Sequence, residues 1–270
     1  MLLLDVFLLI FPPDYLIKII TLTNRKSRAK RFKKITKGEL VKFFGVIIIG
    51  TRFVFGNRRD LWNKTSVSRL IDPLNFGGRT GMTKNRFDEI WSCIRFSDQP
   101  EERYEGESSM AHRWKLVDDF VDAFNEYRAS NYSPSDRICV DESISRWYGL
   151  GGHWINCGLP NYVAMDRKPE NGCEIQDACD GRSKVMIRLK LMKGAAENAA
   201  LEFQDPGGLH GTRVIKFLVQ PLANSRRVVS ADSYFASVPC ALALKDMGLS
   251  FIGVVKTATK EFPQTYLSIV

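Results

Sequence analysis

The chain has 270 residues, 44% of them hydrophobic and 26% charged, with no low-complexity tract or internal repeat, which excludes a disordered or fibrous class and leaves one large domain or two smaller ones. Its formal net charge is +9, and residues 25–37, RKSRAKRFKKITK, hold eight Lys/Arg and no acid, so the rest of the chain is close to neutral. Six cysteines without a CxxC pair and three scattered histidines give no zinc-site spacing and fit reduced thiols better than a disulfide framework.

The opening MLLLDVFLLIFPPDYLIKII has no basic n-region, carries Asp5 early and shows no small-residue cleavage site before Pro12 and Pro13. Its apolar run is too short to span a bilayer. It reads as a core segment followed by an amphipathic helix, with no membrane partner.

The basic block comes next. Arg25, Lys26, Arg28, Lys30, Arg31, Lys33 and Lys34 suit either phosphate contact and nuclear targeting or a solvated helix face. Three apolar stripes at helical spacing follow: Leu40, Phe43, Phe44 and Ile47; Phe87, Ile90, Trp91 and Ile94; Leu116, Phe120, Phe124 and Tyr127. Between them RRDLWNKTS and the glycine-rich DPLNFGGRTGM read as loops. The second lacks the lysine spacing of a P-loop. Residues 1–130 are thus expected to form a helical region for DNA binding and dimerisation.

After SNYSPSD the period changes. RICVDESIS is short and β-branched, and CEIQDAC and KVMIRLKLM flank an Asp180–Gly181 turn, a hairpin signal. TRVIKFLVQ is a short helix stopped by Pro221, RRVVSAD a strand, and Ser237 caps a helix that ends near Gly248. SFIGVVK is the last strand. The order β-β-β-α-β-α-β over residues 131–270 predicts an α/β fold with a mixed, ribonuclease-H-like sheet.

That order places Asp141 in the first strand and Asp232 at the end of the fourth, on neighbouring strands. Two carboxylates so close stay ionised together when a cation lies between them, and Mg²⁺ or Mn²⁺ suits oxygen ligands. A pair of such ions about 3.5–4 Å apart serves in-line phosphodiester displacement. Without the fold order, the two acids read equally well as unrelated surface residues.

VDESISRWYG, RKPENG and ADSYFASVPCALALKDMGLSFIGVVKTATKEFP resemble the piggyBac family of DNA transposases and proteins derived from them. The family's valine-Asp-Glu strand matches Asp141 and Glu142. Its Asp-Asn-aromatic-Phe-Thr/Ser motif matches Asp232, Tyr234, Phe235 and Ser237, and its Lys-Pro-x-x-Gly element matches Lys168, Pro169 and Gly172. DLWNK and MTKNRFDEIWSCIRFSD resemble its helical N-terminal region around Trp62, Asn85, Arg86 and Phe87. The resemblance runs from about residue 15 to the last residue.

It implies metal-dependent strand cleavage and transfer, with Asp141 and Asp232 as catalytic metal ligands, Mg²⁺ or Mn²⁺ as cofactor, DNA as partner with Lys168 near the site, a nuclear location, and room for a homodimer. Departures are Ser233 where asparagine is common and Glu174 where lysine is common. The family's third catalytic aspartate, on a helix well beyond the fifth strand, and its cysteine-rich zinc module have no match before Val270. Glu261, Glu142 and Asp246 are poor substitutes: Pro263 follows the first, the second faces away from Asp141, and the third lies on a solvated helix. The C-terminally truncated core is therefore expected not to cleave DNA by itself. A domesticated, non-catalytic DNA- or protein-binding module is the alternative.

Overall fold

The computed structural model describes residues 3–26, 32–52, 58–65, 73–98, 109–146, 162–164, 171–194, 209–256 and 262. The chain divides into two compact units, Pro12–Pro100, and Met1–Phe11 together with Glu101–Val270. The last helix of the region expected at 1–130 falls within the second unit.

The chain opens with α1 (Leu3–Ile10) of the second unit. The first unit is helical: α2 (Pro13–Lys26), α3 (Lys37–Gly50), a 3₁₀ turn at Arg58–Trp62, α4 (Phe76–Thr80) and α5 (Lys84–Cys93). Two of the expected stripes supply its core, since Leu40, Phe43, Phe87 and Ile90 are all buried. Trp91 leaves the stripe at 49% exposure, with the Arg58 guanidinium 4.8 Å from its ring centre. The glycine-rich stretch expected as a loop is instead the one-turn α4. Asn75 in the left-handed region (φ 42°) accepts from the Gly78 amide at 3.2 Å, and Gly81 (φ 68°) closes the other end. Local capping of both ends decides this where composition alone suggests a loop.

In the second unit, α6 (Ser109–Asn131) leads into β1 (Arg137–Arg146), followed by β2 (Tyr162–Ala164), β3 (Asn171–Asp180), β4 (Met186–Leu191), α7 (His210–Val219), β5 (Val228–Ala231), α8 (Val238–Asp246) and β6 (Ser250–Gly253). The strands form one mixed sheet in the order β2-β3-β1-β5-β6, with β4 also paired to β3. β1 is antiparallel to β3 and parallel to β5, and β5 is parallel to β6. This is the expected β-β-β-α-β-α-β order plus the three-residue β2, too short to show a pattern.

One face of the sheet carries the core. Ile138, Val140, Ala178, Val229 and Ala231 meet Val214, Ile215 and Leu218 of α7 and Cys240 and Leu244 of α8, all buried. As expected from the sequence, Ser237 caps α8 by accepting from the Cys240 amide at 3.1 Å, and Gly248 (φ 68°) ends the turn that follows it. A side chain at Gly172 would collide with the Ser145 carbonyl, so the glycine of the Lys-Pro-x-x-Gly element is what lets β3 approach β1.

Helix α6 covers the outer edge of β4. The Asn125 amide donates to the Leu189 carbonyl at 2.8 Å and accepts from its N–H at 2.9 Å, occupying backbone groups that would otherwise template another strand. Tyr127 and Arg128 of α6 donate to the carbonyls of Leu8 and Ile10, which end α1 without intrahelical partners. Among the described residues no helix is long and apolar enough to cross a membrane.

Asp180 ties the β3–β4 hairpin to the α6–β1 junction. It is 3% exposed and accepts from Tyr132 Oη at 2.7 Å, from the Ser135 hydroxyl and amide at 2.5 and 3.1 Å, and from the Arg182 amide at 2.9 Å. Burial opposes its ionisation, but these donors outweigh it and hold the carboxyl well below the usual carboxylate range. A lowered native pKa stabilises the fold above the unfolded value of about 3.9 and loses that contribution as pH falls through the native value. Asp180→Asn is expected to cost about 2–3 kcal/mol at pH 7. In urea melts the gap between native and variant chains should narrow at pH 3, and an equal gap at both pH values would contradict the assignment.

Candidate functional site

Asp141 and Asp232 lie at the end of the stretch where β1 and β5 run side by side. The parallel register pairs Arg137 with Val228 and ends with Val140 opposite Ala231, so the next residues along the two chains are the two aspartates. Adjacent strands lie about 4.8 Å apart. Val140 and Ala231 point into the core, and alternation turns Asp141 and Asp232 to the opposite, open face, where both are exposed.

Each carboxylate is half committed. Asp141 Oδ1 accepts from the Glu142 amide at 2.8 Å, and Asp232 Oδ1 accepts from the Tyr234 amide at 2.8 Å. The second oxygen of each carries no hydrogen bond or ion pair among the described residues. The Asp232 carbonyl also accepts from Ala236 N at 3.0 Å, which fixes the turn after β5. Side-chain and backbone bonds together make residues 232–236 a rigid exit from the strand.

A third acid lies in the same row, unseen in the sequence reading. The antiparallel ladder sets Asp177 of β3 opposite Asp141. Asp177 is engaged elsewhere, its Oδ2 accepting from Ser143 Oγ at 3.1 Å and its Oδ1 from Cys179 Sγ at 3.3 Å. Burial, then the bond to Asp177, pushes the Cys179 thiol up to about 12, so it stays protonated. No group of three or more His, Cys, Asp or Glu able to hold a metal occurs among the described residues. The donor set is nonetheless of the right kind for Mg²⁺ or Mn²⁺: two hard carboxylate oxygens on an open face, with remaining positions for water and phosphate.

Glu142 belongs to the other face, as its register opposite Gln176 requires, and Asp246 is exposed at the end of α8. Glu261 lies outside the described residues. Tyr234 stands at the end of the sheet near Asp232. Partial burial, then the charges of Glu174, Glu142 and Asp232, raise its phenol above the usual value.

The basic segment belongs to the helical unit. Arg25 is exposed near the end of α2 and forms an ion pair with Asp98. Lys26 ends the helix, and its side chain lies outside the description. Arg28, Lys30, Arg31 and Lys168 also lie outside the described residues. Lys33 and Lys34 are exposed on a well-anchored strip of chain. Behind them, Ile35 is buried and its backbone N–H and carbonyl both pair with the Asn24 side chain, at 2.8 and 3.0 Å.

Arg86 completes the anchor. Its guanidinium donates twice to Glu39, at 2.7 and 2.8 Å, to Glu89 at 2.7 Å and to the Lys33 carbonyl at 2.7 Å, with Phe32 packed 5.1 Å from its centre. The bond from Arg86 holds the Glu39 carboxyl below its usual range, and Glu39 in return raises Arg86 further. The network thus anchors the backbone that carries the two exposed lysines, with the charge of Lys33 also acting on Glu39.

Comparison with known proteins accords with the motifs. A family profile described as Transposase IS4 matches residues 4–268. No curated protein sequence matches. Among solved structures, a piggyBac transposase in a synaptic complex with hairpin DNA superposes with a TM-score of 0.72 at 23% identity, over 97% of this chain and 52% of that one. The chain therefore spans about half the length of the solved transposase and shares its fold. With its profile matched almost from end to end, the chain belongs to the Transposase IS4 family.

Proposed function

We propose that this chain binds DNA through backbone phosphates and holds a divalent cation between Asp141 and Asp232, a transposase-type site retained on a DNA-binding scaffold. The observation that supports the reading is the β1–β5 register, in which Asp141 and Asp232 directly follow the paired Val140 and Ala231. The solved transposase of the same fold is itself a complex with hairpin DNA, which supports DNA as the partner.

Asp141 and Asp232 would hold the cation, and the Glu142 and Tyr234 amides, each bonded to one oxygen, orient the carboxylates. When bound, the ion supplies charge stabilisation at a phosphodiester and lowers the pKa of an attacking water. Two carboxylates hold a divalent ion less firmly than three. Lys33 and Lys34, fixed by the Arg86 network, supply sequence-independent contacts whose strength falls with salt. We also assign the segment Arg28–Lys34 to nuclear targeting, on its charge alone.

Fluorescence anisotropy of the full chain on a random-sequence duplex should show log Kd rising linearly with log salt. Replacing Lys33 and Lys34 by Gln should reduce that slope by about 2 and leave the helical fold intact. Asp141→Ala and Asp232→Ala should bind duplex as the native chain does. Salt-independent binding would contradict the reading, and robust Mg²⁺-dependent nicking lost in both aspartate variants would replace it with that of an active enzyme.

A fluorescent fusion of the full chain is expected in the nucleus, and neutralising the basic residues from Arg28 to Lys34 should disperse it. Cytoplasmic retention of the unaltered fusion would count against the targeting role.

A further inference from the structure

The turn that positions Asp232 also presents an aromatic ring to solvent. Tyr234 is 53% exposed, although it stands two residues from the candidate metal ligand and its neighbour Phe235 is 1% exposed. Exposing a large ring forgoes the stabilisation its burial would bring. The turn is closed without it, by the Tyr234 and Ala236 amides donating to Asp232.

The ring is held in place. Its own amide donates to Asp232 Oδ1 at 2.8 Å, and Phe235 packs edge-on against it, with ring centres 4.9 Å apart and planes at 89°. Phe235 is in turn locked into the core beneath α7 and α8. Gly211, in the first turn of α7, fits against this backbone so closely that a methyl group there would lie 3.2 Å from the Tyr234 carbonyl and 3.3 Å from the Phe235 Cα. Core packing therefore fixes the turn from below, and the phenol ring is left as a rigid platform above it.

We infer that Tyr234 is a positioning residue, on whose ring an unpaired nucleobase stacks when a DNA strand end lies at Asp141 and Asp232. The inference rests on the DNA-binding reading above. Base stacking is the interaction that suits the position. It needs a flat apolar face and no positive charge, whereas a phosphate at the ring would be repelled by the negative charges of Glu174, Glu142 and Asp232 that act on it. A duplex offers no open base face at its side, so the platform should distinguish DNA with an unpaired end from blunt DNA.

The test uses the full chain with Ca²⁺ present, and two probes: a blunt random-sequence duplex, and the same duplex carrying a four-nucleotide single-stranded tail with 2-aminopurine in it. The native chain should bind the tailed probe more tightly and quench its fluorescence. Tyr234→Ala should weaken binding of the tailed probe about tenfold, abolish the quench and leave blunt-duplex affinity unchanged. Tyr234→Phe and Tyr234→Trp should retain both properties, which separates stacking from loss of the phenol hydroxyl or of the fold. Equal affinity of native chain and Tyr234→Ala for the tailed probe overturns the inference. If the native chain binds both probes alike, through Lys33 and Lys34, the stacking role falls and DNA binding stands. If it binds neither, both fall together.

Discussion

The parallel pairing of β1 with β5 is the constraint on which the rest of the sheet-bearing unit depends. These strands are about ninety residues apart in sequence, so closing the connection between them is costly in chain entropy and needs specific contacts to fix it. They are present at the start of the pairing. Arg227 donates to the Ser135 carbonyl at 2.8 Å and to the Pro134 carbonyl at 2.9 Å, and the Val228 amide donates to the Asp136 carbonyl at 2.9 Å. From there Ile138, Val140, Val229 and Ala231 enter the core together. A slip of one residue would turn one strand's apolar side chains to the open face, so burial enforces the register that aligns the aspartates.

The same alternation divides the sheet chemically. Its closed face is apolar where α7 and α8 pack, and its other side carries Asp141, the buried Asp177 opposite it, and Asp232 just past the end of β5. Asp177 is engaged by Ser143 and Cys179. The other two are oriented by neighbouring amides and are left with one available oxygen apiece. In the helical unit, Arg86 plays the corresponding part by fixing the chain that presents Lys33 and Lys34 while its own charge is spent on Glu39 and Glu89.

Much of this was legible in the sequence because it depends on local signals. The hairpin turn at Asp180, the Ser237 cap and the short β-branched runs are encoded within a few residues, and the strand order they define is enough to bring Asp141 beside Asp232. What sequence could not convey depends on register or on distant partners. The role of Asp180 requires Tyr132 and Ser135, more than forty residues away. Asp177 becomes a neighbour of Asp141 only through the antiparallel ladder. α4 looked like a loop because two glycines mask the caps that end it, and β2 has three residues and no periodicity. Tyr234 was legible as part of a motif, but its exposure on a rigid turn was not.

The most direct test of the shared carboxylate site is Mn²⁺ titration followed by electron paramagnetic resonance, using the full chain without DNA. The signal of free Mn²⁺ should fall as the native chain takes up the ion, and Asp141→Asn and Asp232→Asn should each weaken uptake by about tenfold or more, because each removes one of two charged ligands. Uptake by both variants equal to that of the native chain would show that the two aspartates do not share a cation, and the account of the site would fail.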